Sequence, residues 1–269
     1  MAKNHRRKFF TKRKTIVGSL SAGVLVAGAL TSTSLMSTAS AAEWPTPSGD
    51  KGVSQTQELS GEVDGKMVRY FGEGDLGGGG QGEGQDPILK LADGTTLKNV
   101  IIGSPAADGI HCEGSCTLEN VWWEDVGEDA ATFRGGDNAT YNINGGGARG
   151  ADDKVLQFNG GGTLKVNDFA VKDFGKLVRS CGNCSDQTDR HVELNNVEVT
   201  APGKSLVGVN ENYGDTAKLS RIRILGDEDQ KIKPCVRYQG NDSGDEPEET
   251  GEGPDGKTCL YKESDISYE

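Results

Sequence analysis

The sequence is poor in what a helix bundle needs. Aromatics make up 6% of its 269 residues, the apolar set only 33%, and no long leucine-rich amphipathic stretch occurs. A bundle buries an apolar stripe along every helix, so that fold is excluded. Cations are scarce too: 29 Lys and Arg stand against 41 Asp and Glu, a net charge of −12. Nucleic acid is therefore not an expected partner, because phosphate binding requires a basic surface. What the chain has in excess is glycine, 40 residues, about 15% and roughly twice the usual share. Counted with glycine, the apolar fraction rises to about 48%, ordinary for a globular protein. No Gly-X-Y period marks collagen.

The first 14 residues carry seven cations and no acid, and an apolar stretch from Ile16 to Leu30 and a small-residue site, Ala39-Ser40-Ala41, follow. This is the pattern of a secretory signal peptide over residues 1–42. The apolar run is too short and too rich in Gly and Ser for a good membrane span. Arg6-Arg7-Lys8-Phe9-Phe10 also resembles a twin-arginine signal, so the export route stays open between the two. Cleavage takes seven cations and no anion off a charge of −12, leaving −19 on a mature chain of residues 43–269. The expected product is a secreted, strongly acidic monomer with no membrane segment. It repels a polyanion unless a cationic patch or bound cations reverse the local sign.

All six cysteines, Cys112, Cys116, Cys181, Cys184, Cys235 and Cys259, lie in that mature part. Export favours three disulfides. Proximity in sequence favours 112–116, 181–184 and 235–259 among the 15 possible connectivities. Zinc is the rival reading, but Cys181-x-x-Cys184 has no second C-x-x-C to complete a site.

The chain repeats. Thr96-Leu97-Lys98-Asn99-Val100 returns 21 residues later as Thr117-Leu118-Glu119-Asn120-Val121, and weaker echoes begin at Thr140, Thr163, Val192 and Thr216. Each unit holds short alternating apolar runs separated by Gly, Asn and Asp, which tolerate tight corners. Such a unit without a helix is one coil of a right-handed parallel β-helix, an all-β fold. A leucine-rich repeat needs a denser leucine frame; a propeller or jelly roll is the other all-β alternative. Asn99 and Asn120, with Asn142, Asn167 and Asn196, are expected to stack as an inward ladder at one corner. Residues 240–256 carry seven acids, read as a solvated loop tethered by Cys235 and Cys259, or alternatively as a weak cation site.

Superposing the coils sorts the charges. The position before each second apolar run reads Asp108, Asp129, Lys154, Lys176 and Lys204, at spacings of 21, 25, 22 and 28. On stacked coils, about 4.8 Å apart, these side chains fall near one line, with Glu128 beside Asp129 and Arg179 three residues past Lys176. Carboxylates at one end offer hard oxygen ligands for calcium. Lysines and arginine at the other offer sites for anionic groups spaced along a polymer.

At these residues the sequence resembles a known family. Residues 105–112, 117–130, 153–155 and 175–179 are similar to the family-3 polysaccharide lyases, secreted pectate lyases; the resemblance covers about residues 60–269. It implies a right-handed parallel β-helix, calcium (Ca2+) dependence and β-elimination on polygalacturonate, the backbone of pectin. It implies calcium ligation by Asp108, Glu128 and Asp129, a further family acid at Glu83, and a basic catalytic group of Lys154, Lys176 and Arg179. Lys154 is the expected base and Arg179 the next candidate, while Lys176, Arg179 and Lys204 are expected to hold substrate carboxylates. The acidic segment 240–256 and Cys181, Cys184, Cys235 and Cys259 depart from the family pattern. A β-helical polygalacturonase and a calcium-dependent polysaccharide-binding β-helix without catalysis are the alternatives.

Overall fold

Two ladders of parallel pairing run along the chain in the computed structural model, which describes residues 43–78, 80–82 and 84–269. The basic and apolar leader, residues 1–42, and Glu83 lie outside the described residues. The first ladder joins Gly49–Val53, Glu62–Gly72, Thr95–Ile102, Cys116–Trp123, Thr140–Phe158, Gly162–Ser180, Arg190–Asn210 and Thr216–Leu225 in sequence order. The second joins Gln57–Leu59, Leu89–Leu91, Ile110–Cys112 and Ala131–Phe133. It then passes through the C-terminal halves of the three longest strands to Lys233–Gln239. Those long strands bend and serve both ladders. Parallel partners one coil apart make a solenoid, the β-helix expected from the repeat. Among the described residues the only helices are three 3-10 turns.

The core is a set of stacked columns. Leu89, Ile110, Ala131, Leu156, Val178, Val207 and Cys235 are successive register partners, and all are buried. Leu97, Leu118, Ile143, Val166, Leu194 and Leu219 form a second buried column. Like stacks on like because a period-2 strand sends equivalent positions to the same face in every coil. A few apolar positions per coil, repeated in register, therefore fill the interior of a chain only 33% apolar.

The asparagine ladder exists, but it faces outward and splits into two. Asn120 Nδ2 donates to Asn99 Oδ1 at 2.9 Å, and Asn99 Nδ2 to Asp64 Oδ1 at 3.0 Å. Both asparagines hold left-handed φ values, 53° and 55°, and Asn120 is exposed. Beyond them Asn195 donates to Asn167 and Asn167 to Asn144, each at 3.2 Å. Asn142 instead pairs in register with Thr117 and Lys165, away from the corner. The disulfides are Cys112–Cys116, Cys181–Cys184 and Cys235–Cys259, the pairing that proximity favoured.

The acidic segment is not merely a solvated loop. Glu248–Glu252 forms a strand antiparallel to Lys233–Gln239, and Glu246 and Pro247 reach back over the face of the second ladder. Its sequence disfavours a strand; cross-strand charge pairs to Lys233, at 2.9 Å from Glu249 and 2.7 Å from Glu252, favour it.

Candidate active site

Asp108 stands just before the strand Ile110–Cys112, and Glu128 and Asp129 just before Ala131–Phe133. The register Ile110↔Ala131 places Asp108 level with Asp129 on adjacent coils. Gly109 lets them close: its φ is 51°, and a Cβ there would lie 2.1 Å from the Ala130 carbonyl oxygen. No side chain fits at that approach. Ala107, on the other flank of Asp108, is itself left-handed at φ 46°. Its backbone is fixed by bonds from Ala107 N to Gly78 O and from Glu128 N to Ala107 O. Local strain held by surrounding contacts is characteristic of functional turns.

The three carboxylates are 3–6% exposed, and each offers an oxygen within 4.8 Å of the others. Burial pushes the Asp129 carboxyl up to about 8; Lys154 opposes that shift, and the negative fields of Asp108 and Glu128 add to it. His111 Nε2 lies 2.7 Å from Asp108 Oδ2, and both side chains are buried. Asp108 Oδ1 and Asp129 Oδ1 are buried with no hydrogen-bond partner. Crowded carboxylate oxygens without hydrogen bonds, Asp129 Oδ1 having only the 3.7 Å ion pair to Lys154, are costly to bury unless a cation satisfies them. The donor set therefore fits calcium, which takes carboxylate oxygens in flexible geometry.

Next along the same line comes Lys154, level with Asp129 through the register Ala131↔Leu156, and then Lys176, paired with Lys154. Lys154 Nζ lies 3.7 Å from Asp129 Oδ1 and 3.0 Å from Asp153 Oδ2. Lys176 Nζ takes Asp153 Oδ1 at 2.6 Å. Burial alone raises the Asp153 carboxyl, but the bonds from Lys176 and Lys154 outweigh it and hold the group below the usual carboxylate range. The sequence reading did not single out Asp153 for a role. The Asp153-Lys154 dipeptide was its available signal, since a carboxylate beside a column lysine can reach the lysine of the next coil.

Arg179 lies three residues past Lys176 on the same strand, level with Gln157 and Gly208. It is buried, and its guanidinium lies 4.1 Å from the centroid of the Tyr238 ring. Nη1 donates to Ser180 O at 2.6 Å and to Asn210 Oδ1 at 3.1 Å. Burial lowers its pKa, while these acceptors favour the charged form.

Lys204 does not continue the column. Ser205, not Lys204, pairs with Lys176, and Lys204 is exposed. The register slips between Lys172 and Phe174, so the spacing is one residue longer than the sequence reading assumed. One residue turns a side chain to the opposite face. Glu83 cannot be placed, lying outside the described residues.

These groups converge on a cavity of ≈ 460 Å³. Its walls carry five carboxylates (Asp108, Glu128, Asp129, Asp153, Glu246) against four cations (Arg134, Lys154, Lys176, Arg179), with the Cys181–Cys184 loop at one side. Arg134 and Tyr238 lie outside the aligned column and carried no signal in the sequence; Glu246 was visible there only as one of the seven acids of residues 240–256. An acid cage beside a lysine pair, on an open solenoid face, can bind an anionic polymer through cations and take a proton from it.

Comparison with known proteins bears on this chemistry directly. Residues 41–245 match the family model described as pectate lyase. The chain belongs to the pectate lyase family. It is 47% identical over 225 residues to probable pectate lyase E of Neosartorya fischeri, covering 82% of this chain and 86% of that one. It is 46% identical over 222 residues to pectate lyase H of Emericella nidulans, covering 81% and 83%. Among solved structures it resembles the catalytic domain of pectate lyase PelI from Erwinia chrysanthemi, with a TM-score of 0.71, 35% identity, and 81% and 99% of the two chains covered. It also resembles PelI in complex with tetragalacturonic acid, with a TM-score of 0.67, 34% identity and 81% and 70% coverage. Pectate lyase activity is the enzymatic function this membership carries, and the β-helix is the fold these neighbours share.

Proposed function

We propose that the protein is a secreted, calcium-dependent pectate lyase. It cleaves de-esterified polygalacturonate by β-elimination and releases 4,5-unsaturated oligogalacturonides. The observation that carries this reading is the triad of buried carboxylates, mutually within 4.8 Å, set against Lys154 at 3.7 Å from Asp129. The family also supports it, and so does the tetragalacturonic acid bound by the PelI neighbour. Residues 1–42 act as the export signal, and the mature enzyme works outside the cell as a monomer.

Asp108, Glu128 and Asp129 would hold the calcium, with Glu83 a further acid by resemblance. Calcium there would supply charge neutralisation at the C6 carboxylate of a galacturonate, which acidifies the C5 proton. Lys154, as the free amine, takes that proton. The C5–H electron pair forms the C4–C5 double bond, and the C4–O bond breaks with its pair going to the departing glycosidic oxygen, which picks up a proton from solvent. Lys176 holds a substrate carboxylate by its charge, and Arg179 stabilises the negative charge that builds in the transition state. Asp153 orients both lysines.

An inverting hydrolase is less well supported. It needs two carboxyl groups about 6.5–9.5 Å apart with a water between them, and it leaves the lysine pair without a role. The deciding experiment is the ultraviolet absorbance of unsaturated uronide on polygalacturonate, with calcium and with chelator. Reducing ends without that absorbance refute the lyase chemistry; full activity in chelator refutes the metal.

A further inference from the structure

We infer that the acidic hairpin is an electrostatic end-stop of the substrate groove. It limits how many galacturonate units the lyase holds beyond Arg179 and so determines which bond is cut. The inference rests on the reading of this face as a polygalacturonate groove.

The register carries the basic line further than the sequence suggested. Lys176 pairs with Ser205, and Ser205 pairs with Lys233. Lys233 is thus the next cation on the line after Lys154 and Lys176, two coils beyond Lys176. Substrate carboxylates do not find it available. Glu249 and Glu252, both on the hairpin, take its ammonium at 2.9 and 2.7 Å. At the preceding coil the line offers only Ser205, which is buried. Glu246 lines the cavity together with Arg179 and Tyr238. A galacturonate placed past Arg179 therefore meets a carboxylate where a cation would be needed, and the local field repels it.

The hairpin is fixed in this position. Its strands pair from Val236↔Glu252 to Gln239↔Glu248. Its turn rests on the cavity wall through Asn241 N to Gly182 O at 2.8 Å and Gln187 Nε2 to Asn241 O at 2.8 Å. Cys181–Cys184 closes the loop that receives it. The other end of the groove is different. There the cavity shares Arg134 and Gly84 with a second one of ≈ 760 Å³, whose walls carry Lys90 among four carboxylates, Glu58, Asp75, Asp86 and Glu113. Sugar units can extend that way because the cavity continues and Lys90 and Arg134 line it, whereas at the hairpin the next cation of the line is taken by Glu249 and Glu252.

The test uses the mature enzyme and end-labelled hexagalacturonate, with bond-cleavage frequencies read from the labelled products. The wild type should cut at bonds crowded toward one end. Glu246→Gln/Glu249→Gln/Glu252→Gln keeps the hairpin's length but frees Lys233. It should move the preferred bond by at least one unit and raise kcat/KM on the hexamer relative to the tetramer by about two- to five-fold, the range of a surface charge pair. Adding Lys233→Ala to that triple variant should shrink the shift without abolishing it, because the repelling carboxylates are still gone, while Lys233→Ala alone should leave the wild-type pattern unchanged. An active triple variant with the wild-type pattern overturns the end-stop, as does a Lys233→Ala enzyme that shows the triple variant's shift with all three acids in place. If wild type and variants alike form no unsaturated product, the lyase reading itself fails, and this inference with it.

Discussion

Lys176 donates to Asp153 Oδ1 at 2.6 Å and so leaves Asp153 Oδ2 to Lys154. One carboxylate thus sets the spacing of two lysines from neighbouring coils. Gly175 permits it: a Cβ there would lie 2.2 Å from the Asp153 carbonyl oxygen. Asp153→Asn should lower turnover more than Asp153→Glu, because the longer acid can still bridge both ammonium groups.

The same pair makes stability depend on acid. Asp153 is held below the ordinary carboxylate range in the folded protein. A carboxyl depressed by folding adds stability above its unfolded pKa, near 3.9, and the gain is lost as pH falls through the folded value. Wild type should therefore melt above Asp153→Asn at pH 6–8, with the difference closing below about pH 4. A Tm difference independent of pH refutes the ion-pair account.

Much of this site was legible in the sequence because a solenoid turns spacing into position. Lys154 and Lys176 are register partners, and Asp108 and Asp129 stand level with them just ahead of paired strands, at the spacings read from the chain. Lys204 lies off the line for a local reason. The slip at Lys172/Phe174 inserts one residue, and Pro202-Gly203 was its only sequence mark. The ladder of Asn99 and Asn120 was found, but left-handed corners turned it outward. The hairpin was hidden because its acids argue for solvent; only the partner Lys233, two coils past the cleft in register, reveals the strand.

Calcium should stabilise the enzyme through the acid triad. A ligand that binds only the folded state adds about 2.7 kcal/mol at 100 times its Kd. Thermal melts with calcium and with chelator should show a raised Tm in the wild type. Asp129→Asn and Asp108→Asn should lose most of that response. A variant with the wild-type calcium shift places the ion elsewhere.

The three disulfides should contribute unequally. Cys235–Cys259 spans 24 residues and Cys112–Cys116 spans 4. Loop-closure entropy gives about 3.5 kcal/mol for the first and about 2 for the second. Cys235→Ser/Cys259→Ser should melt lower than Cys112→Ser/Cys116→Ser. The reverse order means that strain or local packing at Cys112, fully buried beside the acid turn, outweighs chain entropy.

Lys154 and Lys176 should separate in kinetics. Lys154 lies between Asp129 and Asp153, next to the acid triad where the acidified carbon must sit. Lys154→Ala should cut kcat by at least the roughly 10²–10⁴ that a general base supplies, with KM changing less. Lys176 is farther along the line and offers a charge to a substrate carboxylate. Lys176→Ala should raise KM about ten-fold, the lower end for a hydrogen bond to a charged group. Lysine is mostly protonated at neutral pH, and only the free amine abstracts a proton, so wild-type activity should climb into the alkaline range. Near-normal turnover in Lys154→Ala, or an acidic optimum, removes Lys154 from the base role. The assignment then passes to Arg179, the next candidate, on the same cavity wall.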